Sequence, residues 1–577
     1  TSPTLLYYSR FLRNDMLFGL VSLGFVSLLP GCIRRPQSKN LMGLVMLAAL
    51  MACVKENTIF VLFAVATFAP LFFWTQQERA AKSQPEGRAE QVKPGMFDRE
   101  SNLLFFRALN LSLLFVLVSF VVFRSLFRNE FLPFWLVNAG FIVMILVVYP
   151  AFRSVCVAAD PGEVREGSFA HYLRRLWPHR WDVAAGVLFT LTAAAFLYTI
   201  FFTSPESLFP LFKRTILYWW GQHEEHRLRG PFHYYWSILG VYETPLLLIV
   251  VVGLVWVMFR DELIRRWMML FILLYHVLAL PLILLIPFDE HAWDKAFHMT
   301  SRFHLYFAGL QVAGGIVYTL ALLKTRRRWL AFALWWSAIS LFVYGFAGEK
   351  VPWLAVHQII PLIVLAGGLA QEMFERTTSA NVLFRVVLSL LLVWNAWNAE
   401  RVCFLHPTDR HERLVFNHTQ PGLEDAVQTL QDYAKESGKG LEIPLLLKGQ
   451  ASWPLFWYLR DYSKLLSAEE LADTEELADT DRPVVIADPD DVRTIANLKE
   501  NYRFRTYALR AWWVPKFFGD WKVDPESEKV KSDGVPVTFW QAARAFLRYY
   551  WDRTPYDEPE DFNEEYVQTR FVLGFRK

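Results

Sequence analysis

Asp15 closes the segment Ser9-Arg10-Phe11-Leu12-Arg13-Asn14-Asp15, with two arginines ahead of it and an apolar run behind it. A second ionisable group, Gly348-Glu349-Lys350-Val351-Pro352-Trp353, stands between two apolar runs and is followed by His357. A third, Lys55-Glu56-Asn57, splits two more. Ionisable side chains at membrane depth are costly, and they commonly line a polar cavity or a site. A carboxylate such as Asp15 or Glu349 can remove a proton from an acceptor hydroxyl. Cations such as Arg10, Arg13, Lys55 and Lys350 can hold the charge that grows on a departing phosphate. Transfer from a phosphate-linked donor requires both.

Two further stretches are dense in donors, acceptors and aromatics. One runs from Trp219 through His223, Glu224, Glu225, His226 and Arg227 to Gly230-Pro231-Phe232-His233-Tyr234-Tyr235; the other holds Asp289-Glu290-His291, Asp294-Lys295, Arg302 and His304. Each cluster has a plainer competitor. Arg10 and Arg13 also suit interfacial anchors that reach toward headgroups. Lys55 and Glu56 also suit an ion pair that closes a turn. The Glu349–Trp353 segment also reads as a helix-ending turn with a belt tryptophan. His223 and His226 share a helix face at i, i+3 and would suit a divalent metal, but the sequence offers no clear third and fourth ligand, so the metal stays open. Glu243, inside an apolar run, needs a partner that the sequence does not name.

The elements that must position these groups are set by composition. Hydrophobic residues make up 54% of the 577 and aromatics 16%, well outside the range of ordinary soluble proteins. A net charge of +3 gives no reason to expect a nucleic-acid partner, and the four cysteines have neither disulfide nor zinc spacing. A span needs roughly 20 apolar residues. Twelve stretches are candidates, several of them short: 17–30, 41–54, 57–74, 103–123, 132–152, 183–203, 235–258, 267–286, 304–323, 329–346, 354–370 and 383–399, with 41–54 and 57–74 read as two tilted helices meeting at a polar turn rather than one broken helix. Arg34-Arg35 with Lys39, the stretches 75–102 and 153–182, Arg260 with Arg265-Arg266, and Lys324 through Arg328 fall on one side by alternation. That side is expected to be cytoplasmic. The opposite side carries every polar cluster named above and everything after residue 400.

The reading is therefore an all-α polytopic membrane domain over 1–400, with about 12 spans, and an extracytoplasmic α/β domain over 401–577. In the second, helices are expected at 422–437, 452–462, 490–500 and 537–551, and strands at 442–447, 483–487, 502–513 and 566–575. That alternation predicts a largely parallel sheet. No glycine-rich phosphate loop follows a strand, which argues against nucleotide binding. Trp453-Pro454-Leu455-Phe456-Trp457-Tyr458 reads either as core and belt or as a sugar or lipid contact. The tandem Glu470–Thr474 and Glu476–Thr480 reads as a solvated local duplication.

These residues resemble the GT-C superfamily of polytopic glycosyltransferases, and within it the flippase-activity-associated relatives of aminoarabinose and dolichyl-phosphate-mannose transferases. The resemblance rests on Ser2-Pro3 with Tyr7-Tyr8-Ser9-Arg10-Phe11-Leu12-Arg13-Asn14-Asp15, and on Lys55-Glu56-Asn57. It continues through Gly230–Tyr235 with Tyr242-Glu243, Ala347-Gly348-Glu349-Lys350-Val351-Pro352-Trp353 with His357, and Trp453-Pro454 with Trp457–Asp461. It implies a sugar moved from a polyprenyl-phosphate donor to an acceptor on the extracytoplasmic face, in a bacterial inner or plasma membrane. Asp15, Glu349 and Lys350 then stand as catalytic. Arg10, Arg13, Lys55, Glu56, His223, His226, Arg302, Trp353 and His357 bind substrate, Lys350 and Arg302 facing the donor phosphate. The family's first acidic motif, an Asp-Glu after the first span, does not occur before Tyr7, so the first helices are expected to lie upstream of Thr1.

Two other classes compete. A lipid flippase or transporter predicts polar residues spread through both leaflets and repeated halves, and no repeat is found. A non-catalytic scaffold in a cell-envelope complex would use the C-terminal domain for a partner.

Overall fold

The computed structural model describes residues 2–11, 13–34, 37–55, 57–82, 169–198, 232–285, 302–347, 350–376, 381–467, 480–511, 522–523, 530–531, 539–553 and 568–577. The expected spans 103–123 and 132–152 lie outside the described residues, as do Glu56, His223, His226 and Glu349.

The helices in chain order are α1 (Pro3–Ser9), α2 (Asp15–Arg34), α3 (Ser38–Val54), α4 (Thr58–Lys82), α5 (Phe169–Leu176), α6 (Arg180–Tyr198), α7 (Tyr234–Tyr242) and α8 (Thr244–Arg260). There follow α9 (Glu262–Leu274), α10 (Leu280–Leu285), α11 (Arg302–Lys324), α12 (Arg328–Phe346), α13 (Val356–Arg376) and α14 (Asn381–Glu400). Seven helical stretches among the described residues are long and apolar enough to cross a membrane, or up to eight if the bent pair α7–α8 is one span. The chain is thus largely helical and compatible with an integral membrane protein. The short α3 is apolar over 17 residues.

The expected span 235–258 is not one helix. The axis bends by 99° between α7 and α8 at Glu243. Pro245 lies in the first turn of α8, and a proline there lacks the backbone donor that would carry the ladder of α7 onward, so the helix ends and restarts. Elsewhere helices pack closely where a side chain is missing. A Cβ at Gly253 would come within 2.8 Å of Leu369, so α8 and α13 meet there, and a Cβ at Gly19 of α2 would run into Ile360 of α13.

One end of the bundle is tied by Arg327, whose Nη1 lies 2.8 Å from Asp261 and whose Nε lies 3.3 Å from Glu372. Arg328 donates to Gln76 at the same end, 2.7 Å away. The other end holds the N-terminus of α2, the C-terminus of α3, the α12–α13 turn and the chain that leaves α14.

After a π turn at Arg401–Leu405 the chain forms α15 (Gly422–Glu436), α16 (Ser452–Leu459), α17 (Pro489–Thr494), α18 (Ala496–Asn501) and α19 (Phe539–Asp552). Its strands are β1 (His418–Thr419), β2 (Leu445–Leu447), β3 (Leu465–Ser467), β4 (Val484–Ala487), β5 (Tyr502–Ala511), β6 (Lys522–Val523), β7 (Val530–Lys531) and β8 (Gln568–Arg576). The main sheet has the order β1-β5-β8-β4-β2-β3.

Strand alternation splits its two faces. Leu445, Leu447, Ile486 and Leu573 pack with Leu423, Ala426 and Leu430 of α15, while Leu446, Val485 and Val572 pack with Leu498 of α18. The sheet is mixed rather than largely parallel. Only the β2–β3 and β2–β4 pairs are parallel; β4–β8, β5–β8 and β1–β5 are antiparallel. The reason is β8, which returns after α19 and inserts between β4 and β5. No local signal announces that long-range pairing.

Candidate functional site

The site begins with a helical hairpin. α2 and α3 run antiparallel, so the start of α2 lies beside the end of α3. Asn14 fixes that register by donating to the terminal carbonyl of Val54, 2.7 Å away. Lys55 follows as the C-cap of α3. Asp15 is the first residue of α2 and Lys55 ends α3, so each charge meets the favourable end of a helix dipole. The Lys55 ammonium bonds Asp15 Oδ1 directly. Asp15 has no exposed surface, and Lys55 retains 8%.

Two more groups complete the cluster. His357, at the second position of α13, places Nε2 2.9 Å from Asp15 Oδ1. Arg13 Nε lies 3.3 Å from Asp15 Oδ2, and its guanidinium stacks 3.7 Å from the centroid of Trp353. One carboxylate against two fixed cations leaves a surplus positive charge among the described residues. The Arg13 side chain, 32% exposed, opens it to the surface.

Behind His357 stands an aromatic wall. Tyr344 stacks parallel on the imidazole at 5.5 Å and Phe18 meets it edge-on at 5.1 Å. Asn57 donates to the Tyr344 hydroxyl, 2.8 Å away. A small cavity opens here, lined by Phe18, Ser22, Phe60, Tyr344 and His357 among others. Asp15 accepts only, so His357 carries its proton on Nε2. Its Nδ1 is then a buried lone pair with no hydrogen-bond partner among the described residues.

The structure thus brings Arg13, Asp15, Lys55, Trp353 and His357 together, although Asp15 and His357 are separated by 342 residues. Lys350 is buried but turned elsewhere. Its ammonium donates to the carbonyls of Tyr344 at 3.2 Å, Gly345 at 2.7 Å and Ala347, capping the end of α12. All three donors of an ammonium are then spent, leaving none for a phosphate. Burial lowers its pKa to about 7. Arg10 bonds the carbonyl of Cys403 and covers the ring of Phe404 at 4.5 Å. Arg302 is exposed at the start of α11. His304, just beyond it, meets His233 at 2.8 Å; one ring must donate to the other, so the pair shares a proton.

Glu243 finds the partners it needed at the start of α1: it accepts from Oγ of the N-cap residue Ser2 at 2.6 Å and from the Thr4 amide at 3.0 Å. α1 is held from the other side by the segment after α14. Tyr8 donates to the Leu414 carbonyl and Tyr7 to that of Pro407, each at 2.7 Å. Among the described residues no three His, Cys, Asp or Glu side chains are grouped to hold a metal.

Sequence reasoning missed a second buried charge cluster. Glu412 Oε2 accepts from Arg553 Nε at 2.8 Å and from the Tyr242 hydroxyl at 2.6 Å. Arg553 also donates to Asn398 Oδ1 at 3.2 Å. The only sequence signal was the polar triplet His411-Glu412-Arg413 close after an apolar span.

The chain matches no family model, no curated protein and no solved structure. The candidate site stands on its own geometry.

Proposed function

We propose that this chain is an integral membrane glycosyltransferase of the GT-C type, which moves a sugar from a polyprenyl-phosphate donor to an acceptor hydroxyl. In this reading the chain has about 12 spans, and residues 401–577 face away from the cytoplasm of a bacterial inner or plasma membrane. The observation that carries it is the His357–Asp15 pair flanked by Arg13 and Lys55. A carboxylate that fixes a histidine tautomer and leaves the other ring nitrogen unprotonated is an arrangement suited to a general base.

The step is an inverting displacement. His357 Nδ1 takes the proton of the acceptor hydroxyl, whose oxygen bonds to the anomeric carbon. The bond from that carbon to the lipid phosphate breaks, and the phosphate leaves with the electron pair. Arg13, with Lys55 behind it, stabilises that charge. Asp15 orients His357 and Lys55 rather than taking the proton itself, because both its oxygens are occupied by cations or donors. In this reading the exposed Arg10 and Arg302 serve the donor's approach. A radiolabelled polyprenyl-phosphate sugar assay on the purified chain in nanodiscs tests the proposal. His357→Ala is expected to lower transfer by about 100-fold or more. Undiminished transfer by that variant sinks the assignment.

A second reading has its own observation. Lys350 has spent all its donors on carbonyls and Asp15 is saturated by Lys55, His357 and Arg13, as in a closed structural knot. That favours a non-catalytic scaffold over a lipid flippase, which needs polar groups that change partners. Absence of transfer with every lipid-linked donor, alongside an intact fold, selects it.

A further inference from the structure

α19 carries two faces of opposite use. The inward face, Tyr549 and Tyr550 with Arg553 just beyond the helix, is buried. The outward stripe is Arg544, Leu547, Arg548, Trp551 and Asp552, at i, i+3, i+4, i+7 and i+8, all exposed. Leu547 is 56% exposed and Trp551 55%, side by side on a helix that forms part of a folded domain. Large apolar side chains left outside a packed unit in this pattern belong to an interaction face.

What covers that stripe follows from its neighbour. α14 is one of the membrane-crossing candidates, and its outward residues Val386, Leu390, Val393 and Trp397 are between 41% and 67% exposed. In a bilayer those residues face lipid. Trp397, near the end of α14, meets Trp551 with ring centroids 5.9 Å apart, and Trp394 meets Tyr550 at 5.8 Å. Arg401 bonds the carbonyl of Trp551. The exposed face of α19 therefore continues the lipid-facing face of α14, at the end where the chain leaves the membrane. Tryptophans at that level are what a membrane interface selects. Arg544 and Arg548 stand one turn apart on the same stripe, opposed there only by Asp552 at the C-terminal end, and suit anionic headgroups.

We infer that α19 lies in the headgroup layer of the bilayer, with Leu547 and Trp551 inserted and Arg544 and Arg548 bound to anionic lipid. It follows directly on Tyr549, Tyr550 and Arg553, so the helix that touches lipid is also the one clamped to Glu412, Asn398 and, through Glu412, to Tyr242. The C-terminal domain is thus held against the membrane by lipid on one side of α19 and by a buried ion pair on the other. The inference does not depend on the proposed reaction.

An environment-sensitive fluorescent amino acid at position 547 tests it in the full chain, in nanodiscs of neutral or anionic lipid. Leu390 on α14 serves as the lipid reference, and Leu441, 54% exposed in the C-terminal domain, as the water reference. Brominated lipid is expected to cut emission at 547 about twofold, as at 390, while aqueous iodide quenches 441 far more than 547. Arg544→Gln with Arg548→Gln is expected to raise iodide quenching at 547 in anionic nanodiscs about twofold. Iodide quenching at 547 equal to that at 441, with no effect of brominated lipid, overturns the inference. Protection from both quenchers also overturns it, because a second protein surface then covers the stripe.

Discussion

His357 Nε2 lies 2.9 Å from Asp15 Oδ1, and the two belong to helices 342 residues apart in sequence. The pairing gives the ring an asymmetry that can be measured. Because a carboxylate only accepts, Nε2 holds the proton and Nδ1 does not. Spectra of 15N-histidine-labelled protein should show one imidazole, lost in His357→Gln, in the Nε2-protonated tautomer. Asp15→Asn should shift that resonance toward a mixture, since an amide can either donate or accept.

Removing the carboxylate should cost more than removing the cluster. Asp15→Asn leaves Lys55 and Arg13 without their counter-charge. Lys55 is nearly buried, and stripping one partner from a buried ion pair costs about 3–5 kcal/mol. Thermal unfolding in detergent should show that loss. Asp15→Asn with Lys55→Met should be more stable than Asp15→Asn alone, because the stranded ammonium is gone. A double variant no better than the single would mean that Lys55 is solvated when unpaired.

Arg13 should not be replaceable by lysine. Its guanidinium carbon lies over the Trp353 ring at 3.7 Å while Nε reaches Asp15 at 3.3 Å, and a lysine ammonium cannot do both. Arg13→Lys keeps the charge but loses the stacking, worth about 1 kcal/mol at a half-exposed site. Under the proposed reaction the donor KM should rise several-fold with kcat little changed, whereas Trp353→Leu should reproduce the same KM shift without altering charge.

How far this site was legible in the sequence depended on whether the signal was local. Asp15, Lys55 and His357 stood out because each is ionisable or polar at the edge of an apolar run, a property of a few adjacent residues. That they share one carboxylate was not legible, because the contact is made by helix packing between α2, α3 and α13. Lys350 stood out by the same local rule, yet it caps the helix it follows; sequence does not say which way a long flexible side chain turns. The helices 422–436 and 539–552 and strands β2, β4, β5 and β8 lie close to where periodicity put them. The expected helix 490–500 is instead two, α17 and α18, divided at the extended Ile495. Glu412 and Arg553, 141 residues apart, gave no local sign of their pairing.

That pairing should govern how the C-terminal domain sits. Glu412 and Arg553 are almost fully buried, with Arg553 also bonded to Asn398 of α14 and to the carbonyls of Tyr549 and Tyr550. Arg553→Met removes the nearest cation from the buried Glu412 carboxylate, leaving it the Tyr242 hydroxyl at 2.6 Å and Arg401 at 3.9 Å, so the cost is at most about 3–5 kcal/mol. The loss should fall on the junction first. Limited proteolysis should cut within 401–420 faster than in the parent, while α2–α4 stay protected. Arg553→Met with Glu412→Gln should recover part of that protection.

Acid should loosen the same junction through His418. The backbone N–H of Phe416 donates to Nδ1 at 2.9 Å, so Nε2 carries the proton and donates to the Tyr7 hydroxyl at 3.0 Å, which donates on to Pro407. The neutral ring alone can serve this chain of bonds, because protonation at Nδ1 destroys the acceptor for Phe416. Burial pulls the His418 pKa down to about 4 from 6.5. The unfolded chain therefore binds a proton that the folded one refuses between those values. Stability is fully present above pH 6.5 and falls as pH drops toward 4, by about 3 kcal/mol in all. His418→Gln keeps an acceptor and a donor without a titrating ring. It should flatten that part of the stability profile measured by thermal unfolding between pH 4 and 7, and an unchanged slope in this variant would assign the acid sensitivity to other groups.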